Sequence, residues 1–119
     1  MLSKKYRLKK KTAFTATYRV KKSFYLNGVA VFVGLKKKDD DEVTRVGFVV
    51  SKKTHKRAVK RNRLKRLMRE NYRLFLKNNE TGNSQKYQSL VFVGHEKALG
   101  LSFSDIELTM KNLLGQIDD

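Results

Sequence analysis

Val43-Thr44-Arg45-Val46-Gly47-Phe48-Val49-Val50 leads through Ser51 to Lys56 into Arg57-Ala58-Val59-Lys60-Arg61-Asn62-Arg63-Leu64-Lys65-Arg66-Leu67-Met68-Arg69-Glu70-Asn71-Tyr72-Arg73-Leu74-Phe75-Leu76-Lys77. The first run is β-branched and apolar, so it reads as a buried strand. The second contains neither glycine nor proline and is rich in helix formers. At roughly 100° per residue, Leu64, Leu67, Met68, Tyr72 and Phe75 gather on one side. Asn62, Arg66, Arg69 and Arg73 fall on the other, so the helix is amphipathic, with an outward arginine stripe. A third apolar run, Tyr87 to Val93, follows a polar loop from Asn78 to Gln85, in which Gly82 is expected to end the helical pattern. Strand, long helix and strand in that order imply a parallel pair joined by a crossover.

Outward from this unit the remaining elements are shorter. Thr12 is expected to cap a helix over 13–21 that carries Phe14 and Tyr18 at i and i+4. Ser23-Phe24-Tyr25 reads as a short edge strand, and Gly28 to Leu35 as a strand buried on both faces. Near the C-terminus, Ser104 and Glu107 have capping-box spacing, with Phe103 and Leu108 as a hydrophobic staple. Ile106, Met110, Leu113, Leu114 and Ile117 supply that helix's apolar face. The expected order is αβββαβα in one α+β domain spanning residues 1–119. The run Lys36-Lys37-Lys38-Asp39-Asp40-Asp41-Glu42 reads as a solvated hairpin loop of self-neutralising charge. Adjacent carboxylates on such a loop do not converge on one ion, which disfavours a metal site there.

The chain carries 28 Lys and Arg against 11 Asp and Glu, a formal net charge of +17 over 119 residues. Self-repulsion of that size calls for a polyanionic partner, either nucleic acid or an anionic membrane. The charge is also segregated. Residues 1–22 hold nine cations and no acid, residues 51–77 hold twelve and one acid, and residues 78–119 hold three and six acids. Concentration of this kind marks a binding face. Cysteine is absent, which excludes disulfides and thiolate metal sites. The longest apolar run, Val29 to Val33, is far short of the roughly 20 residues of a membrane span. A cytoplasmic setting is expected.

The basic helix is therefore the candidate polyanion-binding element. Arginines on one face suit bidentate phosphate contacts and stacking on exposed bases. A merely solvated face would mix signs in i, i+4 pairs, whereas here Glu70 is the only acid. Lys60 and Arg61 lie nearer the apolar edge at the helix start. The Ser51–Lys56 approach, with Lys52 and Lys53, sits at a strand-to-helix junction suited to phosphate. His55 is expected to be a solvent-exposed neighbour of these lysines and His95 a loop residue; two distant histidines make no acid/base pair. Phe14, Tyr18 and Phe32 fit either a stacking platform for single-stranded RNA or the core.

Arg45 to Lys53 and Ala58 to Glu70, with Lys60-Arg61-Asn62-Arg63 at the centre, closely resemble the bacterial ribonuclease P protein subunit. Tyr6-Arg7-Leu8 followed by Phe14 is similar to that family's N-terminal segment, and the likeness spans about residues 5–115. The resemblance implies a two-layer α/β sandwich, with a four-stranded sheet, three helices and a left-handed βαβ crossover. It implies two partners, the catalytic RNA of ribonuclease P and the 5′ leader of precursor tRNA. It also implies magnesium held mainly by RNA and a protein that does not itself cut. By the resemblance, Lys52, Lys53, Arg61, Asn62, Arg63, Lys65, Arg66 and Arg69 bind RNA. Arg57, Lys60 and Arg73 join them on charge and position. Phe14 and Tyr18, and more loosely Phe32, correspond to a leader-binding cleft. Two departures stand out: Lys56 replaces a usual loop glycine, and Tyr18 a common phenylalanine. A structural RNA-binding protein of similar fold and a protein-only nuclease are the competing readings. The Arg-Asn-Arg helix disfavours the first, and the lack of a catalytic constellation disfavours the second.

Overall fold

The computed structural model describes residues 2–39 and 41–118. Among these, helix α1 (Lys11–Arg19) precedes strands β1 (Lys22–Leu26), β2 (Val29–Val33) and β3 (Arg45–Val49). Helix α2 (Ala58–Lys77), strand β4 (Ser89–Gly94) and helix α3 (Phe103–Gln116) follow. The order is the expected αβββαβα. The four strands form one sheet in the order β1-β2-β4-β3, with β3 and β4 parallel and the other pairs antiparallel. Helix α2 is the crossover between the parallel strands.

That order corrects one expectation. The segment from Lys36 to Glu42 is not a hairpin loop, because β4 lies between β2 and β3. It carries the chain past β4, and Asp40 lies outside the described residues. The tight hairpin is instead at Asn27-Gly28, where both residues have positive φ (48° and 87°). That is the two-residue geometry matching strand twist, and Asn-Gly is its strongest sequence signal.

Alternation splits the sheet into two faces. Val46, Phe48, Leu90, Phe92 and Val31 face α2 and α3. Tyr72 and Phe92 are fully buried there, with ring centroids 5.9 Å apart, and Phe48 stacks on Phe92 at 5.8 Å. A Cβ at Gly94 would lie 2.5 Å from Leu64, so this glycine lets α2 sit close on β4. Helix α2 ends in a Schellman motif, with Asn79 at φ 58° and Glu80 N–H donating to Phe75 O at 2.8 Å. The stop is therefore Asn79, three residues before Gly82.

Two helix starts also differ. Helix α1 begins at Lys11, so Thr12 lies inside it, and its N-cap Lys10 makes no side-chain cap bond. Helix α3 begins at Phe103 and is capped by Ser102 and Asp105, each bonding the other's backbone N–H. Ser104 and Glu107 are thus in the first turns, and Leu108 is 63% exposed and makes no staple. Two equally spaced pairs compete, and the winner is the one that leaves Ile106, Met110 and Leu113 facing the core.

Candidate nucleic-acid interface

The opposite face of the sheet is only partly covered. Residues before α1 run along the outer edge of β3, where Leu8 N–H donates to Val46 O at 3.0 Å. The chain then turns α1 across the sheet. Three contacts seat it. Phe14 lies on Gly47, where a Cβ would come within 2.3 Å of the ring. The Thr17 and Ser89 hydroxyls are hydrogen-bonded at 2.6 Å. Tyr18 meets Phe32 edge-on, with centroids 4.9 Å apart. Partial burial there pushes the Tyr18 phenol above its ordinary pKa, so it stays neutral at physiological pH.

Beyond α1 the face is open. Val49, Val93 and Phe32 share this face by alternation and are half-buried, a partly exposed strip beyond α1 that we call the trough. Phe14 and Tyr18 form the α1 wall. The loop carrying Lys52 and Lys53 leaves β3 just after Val49, at the end of the strip where Val49 pairs with Val93. Neither a fully buried core nor a free surface describes these three rings: Tyr18 packs on Phe32, Phe14 packs on Gly47, and all three stay partly accessible.

The cations of α2 and its approach separate into two sets. The first is committed within the protein. Arg61 donates to the carbonyls of His55 (2.7 Å) and Lys56 (3.0 Å), which folds the approach loop onto the helix. His55 is correspondingly half-buried, and its Nδ1 accepts the Arg57 backbone N–H at 3.0 Å. Arg63 points toward the segment after β4 and donates to Leu99 O (3.1 Å) and Leu101 O (3.3 Å). Arg73 holds Glu70 at 2.6 Å, and that hydrogen bond keeps the Glu70 carboxyl below its ordinary pKa. The second set has no protein partner for its charge among the described residues: Lys52, Lys53, Arg57, Lys60, Lys65, Arg66 and Arg69. Asn62 and Arg66 are exposed, on the outward side of α2.

Arg69 links the two regions. Together with Arg7, Phe14, Gly47 and Phe48 it lines a small pocket at the β3 edge. The helix stripe therefore runs up to the α1 wall. Gly47 and Arg7 are absent from the sequence-based site. Arg7 adjoins Tyr6 and Leu8, and Gly47 shares the face of Arg45 and Val49 by alternation, so both carried a signal.

The family model described as Ribonuclease P matches residues 2–118. The ribonuclease P protein component of Clostridium kluyveri is 38% identical over 109 residues, 92% of this chain and 91% of that protein. The Clostridium novyi protein of the same name is 37% identical over 113 residues, 95% and 94% of the two chains. Among solved structures, the RNase P protein from Thermotoga maritima superposes with a TM-score of 0.75 at 25% identity, covering 95% of this chain and 98% of that one. The Staphylococcus aureus RNase P protein gives 0.73 at 25% identity, covering 92% and 93%.

Proposed function

The chain belongs to the ribonuclease P protein family and is a subunit of that ribonucleoprotein; from this premise we propose that α2 and its approach loop grip the catalytic RNA while the trough holds the 5′ leader of precursor tRNA. One observation supports the reading: cations with no protein partner among the described residues lie near a partly exposed strip of the sheet that carries Phe32, with Phe14 and Tyr18 of α1 beside it. Unpaired nucleotides expose their ring faces, and stacking on aromatic side chains is worth about 1–3 kcal/mol per base without regard to sequence. That suits a leader, which differs from one precursor to the next. Arg66, Arg69 and Lys60 would meet phosphates of the larger RNA, and Asn62 a phosphate or ribose oxygen between them.

The contribution to the reaction is positioning. Catalytic RNA and precursor are both polyanions, and a chain of net charge +17 lying between them lowers their mutual repulsion. Holding the leader makes its presentation to the RNA effectively intramolecular. Cleavage and the magnesium it uses are assigned to the RNA. Among the described residues no group of three or more His, Cys, Asp or Glu is placed to hold an ion. The setting proposed is the cytoplasm.

The test is reconstitution. Purified protein added to bacterial ribonuclease P RNA at limiting magnesium should stimulate 5′ leader removal. The wild type should favour leader-bearing precursor over mature tRNA, and Phe14→Ala should reduce that preference. Absence of stimulation, or cleavage by protein alone, would contradict the proposal.

A further inference from the structure

We propose that Tyr25 and His95 form a second base-stacking site, at the β1 end of the trough, which takes a leader nucleotide farther from the cleavage site than those beside Phe14 and Tyr18. This rests on the leader lying in the trough, and it adds a direction and a length to that path.

Tyr25 is 58% exposed on an edge strand, yet its ring is not splayed into solvent. It lies 5.8 Å from the His95 ring, inclined by 59°. The two residues come from opposite ends of the chain and meet through the sheet register. Tyr25 pairs with Ala30, and Ala30 with Val93, so all three lie in one row across the sheet. His95 lies one residue past the end of β4 and two past Val93, so by alternation on the same face, and its N–H donates to Gly28 O at 2.8 Å. Gly28 is itself tight against the next turn, where a Cβ would meet Ala98 N at 2.6 Å. The hairpin and the segment after β4 are thus clamped together, and the two rings share a fixed base.

Their surroundings fit a nucleotide. Phe32 is the diagonal neighbour of Tyr25 on this face, about 7–8 Å away. Ala30, between Tyr25 and Val93 in that row, is already covered at 6% exposure, so a base would stack on the exposed Tyr25 and His95 rings and not on the sheet itself. The Lys52-Lys53 loop leaves the sheet beside His95 at the same end, offering cations to the backbone of the strand; Glu96 and Lys97 follow His95 on its other side. The catalytic RNA is assigned to α2, which packs over β3 and β4. A leader that starts there and crosses the strands reaches Tyr25 last.

The test uses the reconstituted holoenzyme and precursors blocked at the cleavage site, with leaders lengthened one nucleotide at a time. For wild type, affinity should rise in a late step at some leader length. Tyr25→Ala should remove that step, weakening long-leader precursors roughly five-fold or more. Short-leader precursors should be unaffected, Tyr25→Phe should retain the step, and His95→Ala should diminish it. A photoreactive base at the distal leader position should cross-link to Tyr25. If Tyr25→Ala leaves every length unchanged while Phe14→Ala weakens binding, the second site is refuted and the trough stands. If neither variant has an effect, both fall. A loss equal at all lengths also overturns the second site.

Discussion

Replacing Gly47 with alanine tests how the trough is built. Its Cβ would lie 2.3 Å and 2.5 Å from two ring atoms of Phe14, well inside contact distance. The ring sits between α1 and β3, so it cannot yield without lifting the helix. Overpacking of this kind costs about 1–3 kcal/mol. Alanine recovers roughly 0.5–1 kcal/mol through the smaller entropy loss of a non-glycine residue in a strand. The net cost is then about 0.5–2 kcal/mol. With an unfolding entropy near 2.1 cal/mol/K per residue, a domain this size loses about 4 °C of melting temperature per kcal/mol. Gly47→Ala should therefore melt about 2–8 °C lower and bind leader-bearing precursor less well, since the displaced ring belongs to the α1 wall. Phe14→Ala/Gly47→Ala should melt no lower than Phe14→Ala alone, because the clash is gone. Thermal melts of the four proteins form a double-mutant cycle. An unchanged melt for Gly47→Ala, or strictly additive losses in the double variant, would refute the close approach.

Three other outcomes follow from the same contacts. Arg63→Ala removes two hydrogen bonds to the 99–101 segment and should lower the melting temperature by about 4–8 °C, from roughly 1–2 kcal/mol; lysine, with no planar fork, should not restore it. Ser102→Ala should destabilise α3 by about 1 kcal/mol in denaturant unfolding, whereas Ser104→Ala should stay within about 0.5 kcal/mol of wild type. Glu70 has a lowered pKa because Arg73 donates to it; its stabilisation is present above the ordinary carboxylate pKa and is lost as pH falls through the folded value. Glu70→Gln should accordingly melt below wild type at pH 7, and the difference should shrink as the pH falls through the folded value.

The crossover unit was legible because its signals are local. The apolar face of α2 repeats at helical spacing, and Leu64, Met68, Tyr72 and Phe75 are indeed the buried residues. Strand pairing is not local: nothing in the run from Val29 to Val33 announces that its neighbour will be Ser89–Gly94. Helical spacing likewise puts Arg66 outward and Arg61 toward the apolar edge, but it does not say which cations find a partner among the described residues. Arg61, Arg63 and Arg66 lie within two turns of one helix. Only the placement of the approach loop and of the 99–101 segment, from elsewhere in the fold, gives the first two carbonyl partners and leaves the third without one. Tyr25 and His95, far apart in sequence, become neighbours through two strand registers and a β4 extension.

The division between a helix that grips RNA by charge and a trough that holds the leader by stacking is tested most directly by salt. Binding of the chain to unstructured single-stranded leader RNA and to ribonuclease P RNA can be measured from low to high ionic strength for wild type, Arg66→Ala/Arg69→Ala and Phe14→Ala. Each phosphate contact contributes about 0.7 to the slope of log K against log salt on single strands, and about 0.9 on duplex. The double arginine variant should lose about 1.4–1.8 from the slope on ribonuclease P RNA. Phe14→Ala should weaken leader binding with its slope unchanged. An unaltered slope for the arginine variant, or a slope that falls with Phe14, would contradict the division.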